Sequence, residues 1–340
     1  MADPSRSSGS TPRAAGGGAN ANRNRNRNRN RNRNRNRGGS GGSGGSGGNR
    51  GGQASRPRAP MATVTAPEVL APLIIEPGLG ATQVLAAEVA ANRRRIVMLC
   101  ERTAMIPALV VGVALGLAVA WLIGAVAFVV VAVVVGYGLW RMAPGVALRR
   151  IGAVPLDERH HQRLVNVTEG LCATFGLRRP ELFLVYDAVP NACALGRDPR
   201  AAALVVTSGL LEAMGPIELE GVIAHELAHV KRGDNGLSSV AVTLSRFGGE
   251  AMLKRCVGES REYRADVVGA SAVRFPRGLL DALRLMMAAP APTGNSVFNA
   301  DRFGATRWVW IDPSVGQRDG AAAVGDLNAT AVRAAALSEW

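Results

Sequence analysis

Cysteine is scarce in this chain. Cys100, Cys172, Cys193 and Cys256 are far apart in 340 residues, and no two form a C-x-x-C pair. That spacing argues against a disulfide framework and against a cysteine-type zinc site, and it fits a reducing compartment. Residues 1–60 have no apolar core, so no secretory signal peptide is expected there. They also contain no Phe, Trp or Tyr. Charge is missing from Thr103 to Trp140, a run of 38 residues.

Basic charge is abundant but unevenly placed. The formal net charge is +14, and residues 1–60, with 13 Arg and one Asp, carry +12 of it. The basicity therefore belongs to a tail, and the remaining 280 residues are nearly balanced. Asn22 to Arg37 is eight Asn-Arg dipeptides, followed by a Gly/Ser-rich stretch to Gly52. With almost no apolar side chain to offset the entropy of ordering, residues 1–60 are expected to be disordered. Their Arg content suits RNA or anionic lipid as a partner. The missing aromatics leave no stacking platform for specific RNA recognition.

The uncharged run is too long for one span. A single helix would measure about 57 Å against a hydrocarbon core of roughly 30 Å. Two spans turning near Trp121 to Gly124 fit better, and Gly112 and Gly116 would let the two helices approach closely. Arg93, Arg94, Arg95 and Arg102 precede the run, and Arg141, Arg149 and Arg150 follow it. The positive-inside bias then puts both ends, and whatever follows, in the cytoplasm. Residues 61–102 read as a juxtamembrane helical segment.

The histidines carry the chemistry. There are four, and two of them fall in His225-Glu226-Leu227-Ala228-His229. On a helix, positions four apart share a face, so both imidazoles can reach one metal ion while Glu226 is rotated to one side. The apolar neighbours Val222, Ile223, Leu227, Ala228 and Val230 predict a buried helix, where unpaired His and Glu would be costly. Downstream, Glu262 and Asp266 are also four apart. A hydrolytic zinc site uses three protein ligands and leaves one position open. Glu262 completes a two-His, one-Glu set, and Asp266 can accept the free N–H of a ligand histidine. Glu226 is then the general base for a zinc-bound water. Asp234 either hydrogen-bonds near the metal or caps the turn after the helix. His160 and His161 are adjacent, so they cannot share a helix face and read as surface residues.

These motifs resemble those of the HtpX-like membrane metallopeptidases, relatives of the CAAX prenyl proteases. Pro190-Asn191-Ala192-Cys193-Ala194-Leu195-Gly196 is similar to the family's Pro-Asn-Ala-Phe-Ala-x-Gly segment, with Cys193 in place of Phe. Val205 to Leu211 and Lys231-Arg232-Gly233-Asp234 are similar as well. The segment before the C-terminal helix departs from the family, with Asn328-Ala329-Thr330 where His-Pro-Pro is common. Gly236 to Cys256 also departs, reading as a soluble helix where many relatives have further spans. The resemblance implies an α+β, mostly helical, zincin-like metallopeptidase domain with a small sheet over residues 154–340. It follows a two-helix transmembrane hairpin at 103–140 and the disordered tail.

The resemblance further implies one Zn²⁺ ion and a polypeptide substrate, with membrane or membrane-proximal proteins, misfolded ones among them, as targets. By the same resemblance Asn191, Ala192 and Cys193 line the substrate groove, where an extended peptide would add to a sheet edge. A second oxyanion donor is open between Tyr263 and several Arg. The competing reading is an inactive membrane adaptor whose tail binds RNA or lipid. An intact Glu226 argues against it, since a binding module needs no general base.

Overall fold

The structure is a computed structural model, which describes residues 79–257, 260–299, 306–315 and 329–339. The Arg-rich tail and the first part of the juxtamembrane segment lie outside the described residues.

Two long helices come first. Helix α1 spans Leu79–Ala118 and α2 spans Trp121–Arg150. Both are long and apolar enough to cross a membrane. Their large side chains point outward, with Leu117 86% and Trp121 76% exposed, which suits lipid and not water. The turn falls at Val119–Ala120, slightly before the expected Trp121–Gly124. Gly124 belongs to α2 instead, where a Cβ would come within 2.6 Å of Gly116 Cα. Its missing side chain serves helix contact, as do those of Gly112 and Gly116 on the facing turn. Neither helix stops at the charged flanks. The 40 residues of α1 reach about 60 Å, so roughly half of it extends past the hydrocarbon layer.

The remaining described residues form a helical body around one small sheet. Strands β1 (Val154–Pro155), β2 (Glu181–Val185), β3 (Ala192–Gly196) and β4 (Ala202–Thr207) lie in the order β1-β2-β4-β3. The β2/β4 pairing is parallel, and the outer two are antiparallel. The β3–β4 hairpin turns where Gly196-Arg197-Asp198-Pro199 predicts, closed by Arg197 N–H to Ala201 O at 3.1 Å. The two-residue β1 carries no periodic signal and was not expected.

Strands β3 and β4 are buried along their whole length, because both sheet faces are covered. On one face Ala192, Leu204 and Val206 pack with helices α3 (Gln162–Phe175) and α5 (Pro216–Lys231). On the other, Cys193, Leu195, Ala203 and Val205 meet Ala147 and Ile151 of α2, together with Phe298 and Trp310. Short α4 (Ser208–Ala213) links β4 to α5, with Thr207 Oγ1 accepting from Leu210 N–H as its N-cap.

Helix α5 starts at Pro216 and stops before Gly233 at φ +71°, a normal start and stop. It is followed by α6 (Asp234–Val257), α7 (Arg261–Ala272), α8 (Arg277–Ala288), a 3₁₀ turn at Arg307–Val309 and α9 (Thr330–Ser338). The stretch read as a soluble helix is α6, and its first half packs on the hairpin helices. Leu237, Val240 and Leu244 are buried against Ile96, Leu99 and Cys100 of α1 and Ala143 of α2. The hairpin helices are thus built into the body.

Candidate metal centre

Helix α5 is enclosed almost all round, with Leu219 and every residue from Gly221 to Val230 buried. His225, Glu226 and His229 are 0–1% exposed. Helix α7 crosses it closely because residue 269 is glycine. A Cβ there would lie 2.9 Å from both Cα and N of His225. That approach delivers Glu262, 4% exposed, to the two imidazoles.

The three groups converge. His225 Nε2 lies 3.1 Å from His229 Nε2 and 3.1 Å from Glu262 Oε2, and His229 Nε2 lies 3.4 Å from Glu262 Oε1. Donors at 2.0–2.1 Å in a tetrahedron sit about 3.3 Å apart, so the triangle has the right size for one small ion. His225, His229 and Glu262 form a cluster able to hold a metal.

Each imidazole is held from behind. His225 Nδ1 is 2.8 Å from Asp266 Oδ1, and His229 Nδ1 is 3.1 Å from Asp234 Oδ2. A carboxylate on Nδ1 keeps the proton there and leaves the Nε2 lone pair facing the centre. Asp234 thus lies against a cluster imidazole, while also opening helix α6.

Arginine shapes the electrostatics. Arg333 of α9 is fully buried and grips Asp266 with two bonds, Nε to Oδ2 at 2.6 Å and Nη2 to Oδ1 at 2.7 Å. Its Nη1 lies 3.6 Å from Glu262 Oε2. Arg261, also buried, donates to Glu262 Oε1 at 2.8 Å and to Ser238 Oγ at 2.8 Å. Burial alone would raise the carboxyl of Glu262, but His229 and Arg261 hold it well below the usual range. Burial also opposes ionisation of Asp234, yet its bond to His229 and the nearby Arg side chains bring it down to about 2. Burial lowers His225, and the Asp266 carboxylate more than reverses this, raising it to about 9. The pocket thus favours a cation at the imidazoles.

Glu226 differs from its neighbours. Neither carboxylate oxygen has a hydrogen-bond partner among the described residues. Burial raises its pKa, against the lowering pull of His225 and His229. A buried carboxylate without a partner is costly to keep. Beside three groups able to hold a metal it has the chemistry of a proton acceptor.

Other expected residues lie elsewhere. His160 sits in an exposed turn with its Nδ1 2.7 Å from Asp157 Oδ2. Tyr263 is only partly buried. The β3 segment is more enclosed than a groove implies, with Asn191, Ala192 and Cys193 all 0% exposed. Thr207 N–H donates to Asn191 O, so the register turns Asn191 and Cys193 toward β4 and Ala192, Ala194 and Gly196 outward. The Asn191 side chain pairs at both ends with the backbone of Asp312, and Ile311 N–H donates to Ala192 O at 2.9 Å. Burial pushes the Cys193 thiol well above its usual range, and it packs as a small apolar group.

Sequence reasoning missed Arg333 and gave Arg261 no role at the site. The available signal for Arg333 was a lone cation in the apolar run Ala331 to Leu337.

Known proteins resemble this chain over the same region. Residues 158–307 match the model of peptidase family M48. A protein named Protease HtpX homolog from Syntrophobacter fumaroxidans is 31% identical over 201 residues, covering 47% of this chain and 71% of the relative. The chain belongs to peptidase family M48, among its HtpX-like members. A relative of the same name from Tropheryma whipplei strain Twist is 35% identical over 170 residues, covering 39% of this chain. One from Caldanaerobacter subterraneus is 29% identical over 216 residues, covering 48% of this chain and 72% of the relative. The chain spans 58% of the length of the Tropheryma relatives. No solved structure matches it. This M48 chain places its matched region over all three members of the metal cluster and over Glu226.

Proposed function

We propose that the chain is a membrane-anchored, zinc-dependent endopeptidase acting on membrane or membrane-proximal polypeptides. One observation carries the reading: an unpartnered, buried Glu226 carboxylate stands beside a ligand triangle of the size a tetrahedral ion needs. The donor set of two imidazoles and one carboxylate suits a single Zn²⁺. When bound, zinc supplies Lewis acidity to the scissile carbonyl and acidity to water.

The chain's own residues do the rest. His225, His229 and Glu262 hold the ion, and Asp266 and Asp234 fix the imidazoles. Glu226 takes the proton of the attacking water and returns it to the leaving amine. Its raised pKa suits a group that must hold the proton between those steps. The near-complete burial of the site limits bulk water around the reaction. The outward groups of β3 are taken up within the fold, Ala192 O by Ile311 N–H and Gly196 N–H by Ser239 Oγ, so an extended substrate pairs along that edge only by displacing those contacts. The catalytic unit is residues 154–340, together with the hairpin ends packed into it. The tail, residues 1–60, has no part in this reading.

The test uses the full chain purified in detergent. It should contain one zinc per chain and cleave an unfolded casein-like substrate. A strong chelator should abolish cleavage, and added zinc should restore it. Cleavage that survives complete metal removal would sink the proposal.

The Arg-rich flanks support a cytoplasmic catalytic domain. In whole cells, Ala120→Cys at the hairpin turn should react with an impermeant maleimide. Arg200→Cys in the exposed β3–β4 turn should react only after lysis. The reverse pattern would invert the topology.

A further inference from the structure

We infer that Asn92, on the extension of the membrane helix α1, is a positioning residue for the metal centre, acting on His229 through Asp234. The inference rests on the metal reading above and goes beyond it. Nothing in the zinc motifs includes α1.

The geometry is a relay of fixed groups. Asp234 has one oxygen, Oδ2, against His229 Nδ1 at 3.1 Å. Its other oxygen, Oδ1, accepts from Asn92 Nδ2 at 2.5 Å. The same amide nitrogen donates to the carbonyl of Arg232 at 3.0 Å, so both of its hydrogens are used. Asn92 is 6% exposed and Asp234 3%. Without Asn92, Asp234 Oδ1 loses its amide donor and the carboxylate can turn about its own bond. With it, the plane of the carboxylate is set, and the imidazole that leans on that plane is set too.

Neighbouring contacts dock the same helix without touching the Asp234 carboxylate. One turn earlier on α1, Glu88 pairs with Arg232 Nε at 2.9 Å and with Arg264 Nη1 at 3.5 Å. Val89 faces the left-handed turn at Gly233, where a Cβ would lie 3.7 Å from Val89 Cγ1. One and two turns later, Ile96, Leu99 and Cys100 pack on α6, which begins at Asp234. The same unbroken helix enters the uncharged run at Thr103. Through it, the segment that crosses the membrane also bears on the carboxylate behind a metal ligand.

Two roles are separable. If Asn92 only docks α1, any lost contact on that face should act alike. If it positions His229, its loss should show at the metal and that of Glu88 should not. The probe is Co²⁺ in the metal-free full chain in detergent, followed by the cobalt visible bands. Asn92→Ala should weaken Co²⁺ binding by about tenfold, the low end for groups that orient a ligand histidine, and shift the bands. Glu88→Ala should lower the melting temperature but leave affinity and bands at wild-type values. Asn92→Ala with wild-type affinity and bands overturns the inference. So does an equal loss of affinity in both variants. A wild-type chain that binds no cobalt instead overturns the metal reading itself.

Discussion

Glu226→Gln should reduce peptide hydrolysis by about 10²–10⁴-fold, the range for loss of a positioned general base, while one zinc per chain is retained. Gln keeps the shape of the side chain but cannot accept a proton at neutral pH. The metal donors are on His225, His229 and Glu262, so metal content should not fall. Stability should move the other way. Burial raises the pKa of Glu226, so at neutral pH its ionised form is better accommodated in the unfolded chain than in the fold. A neutral amide removes that penalty, and the melting temperature of the metal-free protein should rise. Lost activity with gained stability is the signature of a group kept for chemistry. A variant that cleaves at the wild-type rate would remove Glu226 from the mechanism. One that loses its zinc would make it a structural residue.

Arg333→Met should be the most damaging change outside the zinc motifs. It leaves Asp266, 1% exposed, as a buried carboxylate without its two-pronged partner. Breaking such a pair by removing one side costs about 3–5 kcal/mol. The loss extends to the carbonyl of Ile311, which accepts from Arg333 Nη1 at 2.5 Å, and so to the anchoring of α9. Because Asp266 orients His225, zinc affinity should fall as well, by about 10–100-fold. Arg333→Lys should rescue only partly, since an ammonium cannot reproduce the fork that meets both oxygens. Denaturant unfolding and zinc titration measure the two effects. Unchanged values in both would mean that the Arg333–Asp266 pair is dispensable.

Much of this molecule is legible from local spacing. Positions four apart put His225 over His229 and Glu262 over Asp266, whatever surrounds them. Thirty-eight residues without charge call for two membrane helices. Pro216 and Gly233 bracket the zinc helix. The turn at Gly196 to Pro199 joins two strands. Such features depend on neighbours within a turn or a hairpin, and the backbone geometry that links them is nearly invariant.

Sequence alone thus determined which side chains can meet as a metal cluster and where the membrane-length apolar segments lie. Only the tertiary structure decided who holds them. Arg333 lies 67 residues from Asp266, and Asn92 lies 142 from Asp234. No periodicity connects such pairs, because their meeting follows from how α9 and α1 pack on the body. The same holds for Arg261. Next to Glu262 in the chain, it donates to that carboxylate from a buried position, and only the packing of the body removes the water that would otherwise solvate it. Gly124 looked like a turn and proved to be a helix contact, since only the facing helix reveals what a missing side chain makes room for. Desolvation is the physical reason in each case: which charges must find partners is settled by what surrounds them, and the linear order of residues does not record that.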